Sequence, residues 1–282
     1  MRHAPAVFAS AGLLATALLA GCAVTPSHAR TGSDQSALQS ALQSVVDAPQ
    51  REAANRARDS HRHPVETLAF FGVQPTDSVI EISPGGGWYS EILAPYLREG
   101  GTYIAAAAAA PADSGGGKRN AALQAKFAAT PARYDRAAWR EYDGKAPMLG
   151  PDASADVVLT FRNVHNWVAG NTADAYFQAF FAVLKPGGTL GVVDHRARPG
   201  TDLAAMKTSG YLTEALVIEL ATRAGFVLDG KSEVNANPKD GSQHPNGVWT
   251  LPPTNRHDAV DAAKYQAIGE SDRMTLRFKK PG

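Results

Sequence analysis

Residues 79–93 read VIEISPGGGWYSEIL, and this stretch decides which fold class the sequence predicts. It opens with a short, nearly continuous apolar run, which is typical of a strand buried on both faces of a parallel sheet. Three glycines follow, and then a helical pattern of apolar residues begins. A glycine-rich turn between a strand and a helix lets the backbone approach a ligand that a Cβ atom would push away. The stretch therefore predicts an α/β domain with a ligand site at this turn.

The alternation of strands and helices continues along the chain. Further strands are predicted at 101–105, 139–142, 156–161, 189–194, 226–234 and 273–279. These patterns predict one Rossmann-like, mostly parallel sheet of seven strands, with right-handed crossovers and helices on both faces. No clear helix separates the last two strands, so we predict that the last strand runs antiparallel. A ligand is then expected at the carboxyl ends of the first, second and fourth strands.

Composition limits the classes of partner. The 282 residues include 28 Lys and Arg against 27 Asp and Glu. This balance gives no electrostatic reason to expect nucleic acid, which calls for a clustered basic face. Hydrophobic residues make up 44% of the chain, which excludes a wholly disordered protein. We therefore expect a folded protein that does not bind nucleic acid.

The first residues have the pattern of a secretory signal. Residues 1–21 contain an uncharged apolar run, which is too short for a helix that spans a membrane. The sequence LAGC at 19–22 resembles the lipobox of bacterial lipoproteins, which implies lipidation at Cys22, export, and a membrane anchor facing the periplasm. Ala23 after the cysteine favours the outer membrane by the same resemblance. An ordinary cleaved signal ending near Ala23 or Ala29 is the alternative.

The mature chain is predicted to have two parts. Residues 22–50 are polar and rich in Ser and Gln, which predicts a flexible tether with at most one weak helix. The α/β domain is predicted to span 51–282. An insertion at 235–270 carries no motif that we can interpret, and covering the substrate is the role left open for it.

The glycine turn itself excludes two common nucleotide sites. No Gly-Lys-Ser/Thr follows it, so it is not a P-loop, and it lacks the G-x-G-x-x-G spacing of dinucleotide-binding proteins. The turn also lacks the nucleophile of a G-x-S-x-G hydrolase motif. A nucleotide-type site of another kind remains.

Three motifs in register carry a resemblance to a known family. VIEISPGGG resembles the first motif of class I S-adenosylmethionine-dependent methyltransferases. SADVVLTFRNVHNW resembles their fourth strand with its loop, and LKPGG resembles the turn before their fifth strand. The order and spacing fit over about residues 60–280, and more narrowly the chain resembles an exported group described as "predicted methyltransferase". The resemblance implies S-adenosylmethionine as cofactor and methyl transfer to an unknown small-molecule acceptor.

The resemblance also assigns cofactor binding to particular residues, which are Glu81, Ser83, Gly85, Gly86, Gly87, Asp143, Phe161 and Asn163. Glu81 would orient the turn and meet the cofactor's amino-acid end, and Asp143 would meet the adenine amino group. Ser83 replaces the first glycine of the family motif, which is tolerable if its φ is negative. The acid expected to bind the ribose is replaced near Ala106, and Asp113 is the nearest candidate.

Two histidines are candidate catalytic residues. His165 follows the fourth strand, where a general base would remove the acceptor's proton; packing in the loop is the alternative. His195 follows Asp194 at the end of the fifth strand. These residues could orient one another or bind a metal, but no zinc-type spacing supports a metal, so none is predicted.

Two functions of different class therefore stay open. One is an exported methyltransferase that uses S-adenosylmethionine. The other is a non-catalytic or repurposed periplasmic ligand-binding domain on the same scaffold, because the ribose acid is missing and the cofactor is made in the cytoplasm.

Overall fold

The computed structural model describes residues 1–4 and 32–282 of the chain. Most of the predicted signal peptide, and the predicted lipidation site Cys22, lie outside the described residues. None of the helices within the described ranges combines the length and the apolar character needed to cross a membrane.

One sheet organises residues 32–282. In chain order its strands are β1 Ser78–Ile82, β2 Thr102–Ala108, β3 Ala138–Tyr142, β4 Ala155–Phe161, β5 Leu184–His195, β6 Val227–Ser232 and β7 Arg273–Lys279. They lie in the order β3-β2-β1-β4-β5-β7-β6. Strands β1 to β5 pair in parallel, and β7 runs antiparallel to both β5 and β6. The predicted fold class, with its antiparallel last strand, is confirmed.

Helices cover both faces of the sheet. They are α1 Gly32–Val46, α2 Ala53–Arg56, α3 Asp59–Arg62, α4 Pro64–Phe71, α5 Ser90–Leu97, α6 Gly115–Ala129, α7 Pro131–Tyr134, α8 Val164–Ala169, α9 Ala173–Val183, α10 Leu203–Ser209, α11 Glu214–Arg223 and α12 Ala262–Ile268. Alternate β1 residues point to opposite faces, so Val79 packs in one hydrophobic core with α1, α4 and α5. Ile80 packs in the other core, with α8, α9 and α11.

The folded domain begins earlier than the sequence predicts. Helix α1 lies within the segment 22–50 that was predicted as a tether, and it packs against α4 and α5. Its residues Leu38, Leu42 and Val46 recur at a spacing of four and are buried. This narrow apolar stripe is enough to attach a helix whose other positions are polar, which is why average composition concealed it.

Candidate functional site

A cavity of about 520 Å³ opens at one edge of the sheet. It lies at the carboxyl ends of β1, β4 and β5, next to the point where the strand order reverses. No lining residue comes from β2 or β3, although the sequence placed the second strand at the site. The insertion 235–270 covers the cavity with residues that include Val248 and Trp249. The volume of the cavity falls within the range of small-molecule sites.

The glycine turn presents bare backbone to this cavity. Gly85 has φ +61°, and a Cβ atom at Gly85 or Gly86 would meet no atom of the described residues within 4 Å. Both residues line the cavity. Gly87 differs, because a Cβ atom there would lie 2.5 Å from Leu123 Cδ1, and it does not line the cavity. Gly87 therefore allows α6 to pack on the turn, whereas Gly85 and Gly86 leave room for a ligand.

Ser83 does not have the negative φ that the sequence interpretation required. Its φ is +53°, in the left-handed region that non-glycine residues seldom adopt. Its N–H donates to the carbonyl of Ala106 at 2.7 Å, and its hydroxyl lies 3.1 Å from the hydroxyl of Tyr142. These bonds hold a strained residue at the rim of the cavity, as is common at functional sites.

Glu81 forms part of the cavity floor and is 3% exposed. Its Oε2 accepts a hydrogen bond from the Tyr103 hydroxyl at 2.6 Å and a longer one from Ser90 Oγ at 3.4 Å. Burial raises the pKa of Glu81 to about 7, and the two hydrogen bonds only partly oppose this. No cation among the described residues forms an ion pair with it. A cationic ligand group would therefore find a carboxyl group ready to lose its proton.

Phe161 and Asn163 also line the cavity, after β4. The Phe161 ring stacks on Tyr89, with 3.5 Å between ring centroids. The amide of Asn163 donates to the carbonyl of Ile82 at 3.1 Å, which joins the loop after β4 to the end of β1. Asp143 lies elsewhere: it is exposed after β3, and its carboxylate accepts from the backbone N–H of Lys145 at 2.8 Å.

Ala106 does not offer a position for the missing ribose acid. Its side chain is fully buried in the hydrophobic core that contains Ile80, Ile82 and Ile104. An aspartate there would bury an unpaired carboxylate among apolar side chains, which is strongly unfavourable. Near Ala106 the strand therefore has a core-facing residue where the resemblance implied a ligand-facing one.

The histidines meet at Asp194, which is fully buried. The Nδ1–H of His165 donates to Asp194 Oδ1 at 2.9 Å, and the backbone N–H of His195 donates to the same oxygen at 2.7 Å. Because an ionised carboxylate only accepts hydrogen bonds, this contact places the His165 proton on Nδ1 and leaves the Nε2 lone pair free. Both histidines line the cavity. An Asp–His pair of this geometry suits a general base.

His195 has a different environment. Its Nδ1 lies 2.5 Å from Ser271 Oγ, and its ring centroid lies 5.0 Å from that of His165. Burial lowers the pKa of His195 well below its usual value, and the nearby His165 and arginines lower it further. Ligand atoms of His165, Asp194 and His195 lie within 4.8 Å of one another, as a metal site would require. Cationic surroundings disfavour a divalent cation there, so we interpret the group as hydrogen-bonded.

Four arginines line the cavity, and none of them is among the site residues that the sequence predicts. They are Arg58, Arg62, Arg162 and Arg273. Arg58 and Arg62 contact Glu270 at 2.6 and 3.4 Å, and Arg273 also pairs with it. Burial acts to raise the pKa of Glu270, but Arg273, Arg62 and Arg58 outweigh it and hold that pKa well below its usual range.

For two of these arginines, the position in the sequence is enough to indicate a place at the site. Arg162 stands between Phe161 and Asn163, which were both assigned to the site. Arg273 begins β7, and it is paired with His195 in the register of the sheet. Because β7 runs antiparallel to β5, the first residue of β7 lies at the same sheet edge as the last residue of β5.

Solved structures share this fold. An S-adenosylmethionine-dependent methyltransferase from Aquifex aeolicus matches with TM-score 0.54 and 14% identity, over 86% of this chain and 98% of its own. The cyclase SpnF matches with TM-score 0.52 and 17% identity, over 89% of this chain and 94% of its own. No protein-family model matches the sequence, and no curated protein matches it either. The fold is that of class I methyltransferases.

Proposed function

We propose that the protein is an S-adenosylmethionine-dependent methyltransferase with a small-molecule acceptor. The observation that carries the proposal is the juxtaposition of three parts in one cavity. Gly85 and Gly86 present open backbone. Among the described residues, Glu81 has no cationic partner and His165 Nε2 has no hydrogen-bond partner. The first two fit the amino-acid end of the cofactor, and the third fits an acceptor that must lose a proton.

Glu81 and the glycine turn would bind the cofactor, and the cavity would bring the acceptor next to it. S-adenosylmethionine, when bound, supplies an electrophilic methyl group whose bonding electrons stay with its sulfur. Glu81 would bind the cofactor's ammonium group, and the turn would accommodate its chain without a side-chain clash. The cavity would hold acceptor and cofactor together, which supplies much of the rate enhancement in such transfers.

His165 would take the acceptor's proton at Nε2 as the new bond forms. Asp194 holds its Nδ1–H at 2.9 Å, which fixes the ring orientation and stabilises the imidazolium that results. The insertion residue Trp249 packs near His165, with 6.1 Å between ring centroids.

Calorimetry tests the cofactor part of the proposal. We expect S-adenosylhomocysteine to bind the full chain with one-to-one stoichiometry and a dissociation constant of about 10 μM or tighter, or about −7 kcal/mol. Adenosine should bind far more weakly, because it lacks the amino-acid end that Glu81 would meet. No binding of either S-adenosylmethionine or S-adenosylhomocysteine at millimolar concentration contradicts the proposal.

His165→Gln tests the base. The expected result is a loss of roughly 10²- to 10⁴-fold in methyl transfer, with the affinity for S-adenosylhomocysteine unchanged. The measurement is transfer of labelled methyl to a panel of small alcohols, phenols, thiols and amines. His244→Gln is the matched control, since His244 Nε2 also pairs with a buried aspartate, Asp240, at 2.8 Å, but it does not line the cavity. Equal rate losses in both variants would argue against a base.

One observation favours a second function, a repurposed periplasmic ligand-binding domain. The cavity has no lining residue from β2 or β3, where the resemblance implied contacts with ribose and adenine. The cyclase SpnF has a similar fold, so the fold alone does not fix the reaction. Failure of both cofactor titrations, together with binding of another small molecule, would support this alternative.

A further inference from the structure

The four arginines of the cavity wall share few ion-pair partners. Glu270 is the one carboxylate in ion-pair contact with Arg58, Arg62 and Arg273 among the described residues. Arg162 forms neither a hydrogen bond nor an ion pair through its guanidinium with any described residue. Three of the four arginines therefore share one ion-pairing carboxylate, and the fourth has none among the described residues.

Several guanidinium donors in this wall have no acceptor. Arg62 Nη2, Arg58 Nη2 and Arg273 Nε are buried and make no hydrogen bond with a described residue. Arg62 and Arg273 are 4% and 2% exposed, so water satisfies these donors poorly. Buried donors of a charged group left without acceptors are costly, and a bound ion or ligand that supplies the acceptor is one reason for proteins to retain them.

Three of the arginines lie together at one part of the cavity wall. Arg62, Arg162 and Arg273 line the main cavity and also a small recess beside it, together with Tyr89 and Phe161. The backbone of Arg162 has φ +61°, held by a hydrogen bond from its N–H to the carbonyl of Val193 at 2.7 Å. A strained residue that aims an unpaired guanidinium into a cavity is typical of a ligand contact.

The electrostatics of the arginines agree with the geometry. Burial and, next in importance, the charge of Arg162 lower the pKa of Arg62 to about 8. Burial likewise lowers the pKa of Arg162 to about 10, with repulsion from Arg273 next in importance. A bound anion would relieve both the repulsion and the lack of acceptors.

We propose that Arg62, Arg162 and Arg273 form an anion subsite that binds a carboxylate or phosphate group of the acceptor. That the anion belongs to an acceptor rests on the proposed function, whereas the anion subsite itself does not. Arg273 is paired with His195 in the sheet, so the bound anion would lie near the histidines. The acceptor would thus be a small anionic molecule whose other end reaches His165.

The test combines anion binding with stability in the full chain. Inorganic phosphate is titrated without nucleoside, against chloride at matched ionic strength, and unfolding temperature and heat are measured. We expect phosphate to bind the parent chain and Arg162→Gln to weaken phosphate binding at least tenfold. Arg162→Lys should weaken phosphate binding less, since a lysine keeps the charge but not the fork of donors. Arg277→Gln is the control, because Arg277 pairs with Asp229 outside the cavity.

Stability separates a binding role from a structural one. Without phosphate, Arg162→Gln should unfold at the same or a higher temperature than the parent, because it removes an unpaired charge from among three others. Arg277→Gln should unfold at a lower temperature. If Arg162→Gln lowers the unfolding temperature and leaves phosphate binding unchanged, Arg162 is structural and the proposal is wrong.

Cofactor titrations distinguish the source of the anion. S-adenosylhomocysteine and phosphate should bind independently, each with the same affinity in the presence of the other. Competition between them would assign the arginines to the cofactor's own carboxylate and would overturn the assignment to an acceptor. S-adenosylhomocysteine binding without phosphate binding contradicts the anion subsite alone, and phosphate binding without S-adenosylhomocysteine binding contradicts the proposed function alone.

Discussion

Gly85→Val is expected to abolish the binding of S-adenosylhomocysteine while the protein stays folded. Within 4 Å of its Cβ atom, the valine would meet no atom from the part of the chain that the structure describes. Its side chain would enter space that the proposed ligand would fill. We expect at least a hundredfold loss of affinity, or about 3 kcal/mol. The measurement is calorimetry at concentrations that saturate the parent protein.

Gly187→Val is a matched control for this substitution. Gly187 also has a positive φ, +76°, and a Cβ atom there would also meet no atom of residues 32–282 within 4 Å, but it lies outside the cavity. Both variants should therefore lose a similar stability of roughly 1–2 kcal/mol from left-handed strain. Only Gly85→Val should lose the ligand. A folded Gly85→Val protein that binds as tightly as its parent excludes the turn from the cofactor site.

Glu81→Gln is expected to weaken S-adenosylhomocysteine binding by tens to hundreds of times and to stabilise the protein at alkaline pH. The loss of affinity follows from the loss of a charged hydrogen bond, about 2–3 kcal/mol. The gain in stability follows from the burial of the parent's carboxyl group, which raises its pKa to about 7.

The pH dependence has a definite sign. The pKa of Glu81 rises from its ordinary 4.5 to about 7 on folding, so between these values the folded chain binds the proton more tightly than the unfolded chain. The parent's free energy of unfolding therefore falls as pH rises from about 4.5 to 7, by up to about 3 kcal/mol from this group. The glutamine does not titrate and keeps its stability.

Urea unfolding at pH 5, 7 and 8.5 measures this difference. The stability of Glu81→Gln relative to the parent should increase over this range. Glu91→Gln is the contrasting control, since Glu91 is equally buried but contacts Lys126 at 2.6 Å. Breaking that ion pair should destabilise the protein at every pH. A parent and a Glu81→Gln variant whose stabilities differ by the same amount at all three pH values would show that Glu81 is not held protonated.

The local sequence pattern predicted the strands and the sheet edge at which the candidate site lies. Carboxyl ends of parallel strands meet at one sheet edge, so the sequence placed Glu81, Phe161, His165 and His195 at a common edge. It also placed the end of the second strand at the site, but no residue of β2 lines the cavity. The glycine turn was likewise evident from its composition. The short helices α8 and α10 were not predicted, because six or seven residues are too few to show helical periodicity.

The sequence by itself determined the seven-stranded α/β sheet, its antiparallel last strand and the edge that carries the candidate site, since these follow from local periodicity and from the rules of strand connection. Only the tertiary structure decided that Ala106 faces the core, that φ of Ser83 is positive, and that four arginines surround the cavity. Arg58 and Glu270, for example, are 212 residues apart in the chain and 2.6 Å apart in space. Such contacts depend on how distant segments pack and on where each side chain points, and local sequence does not encode either.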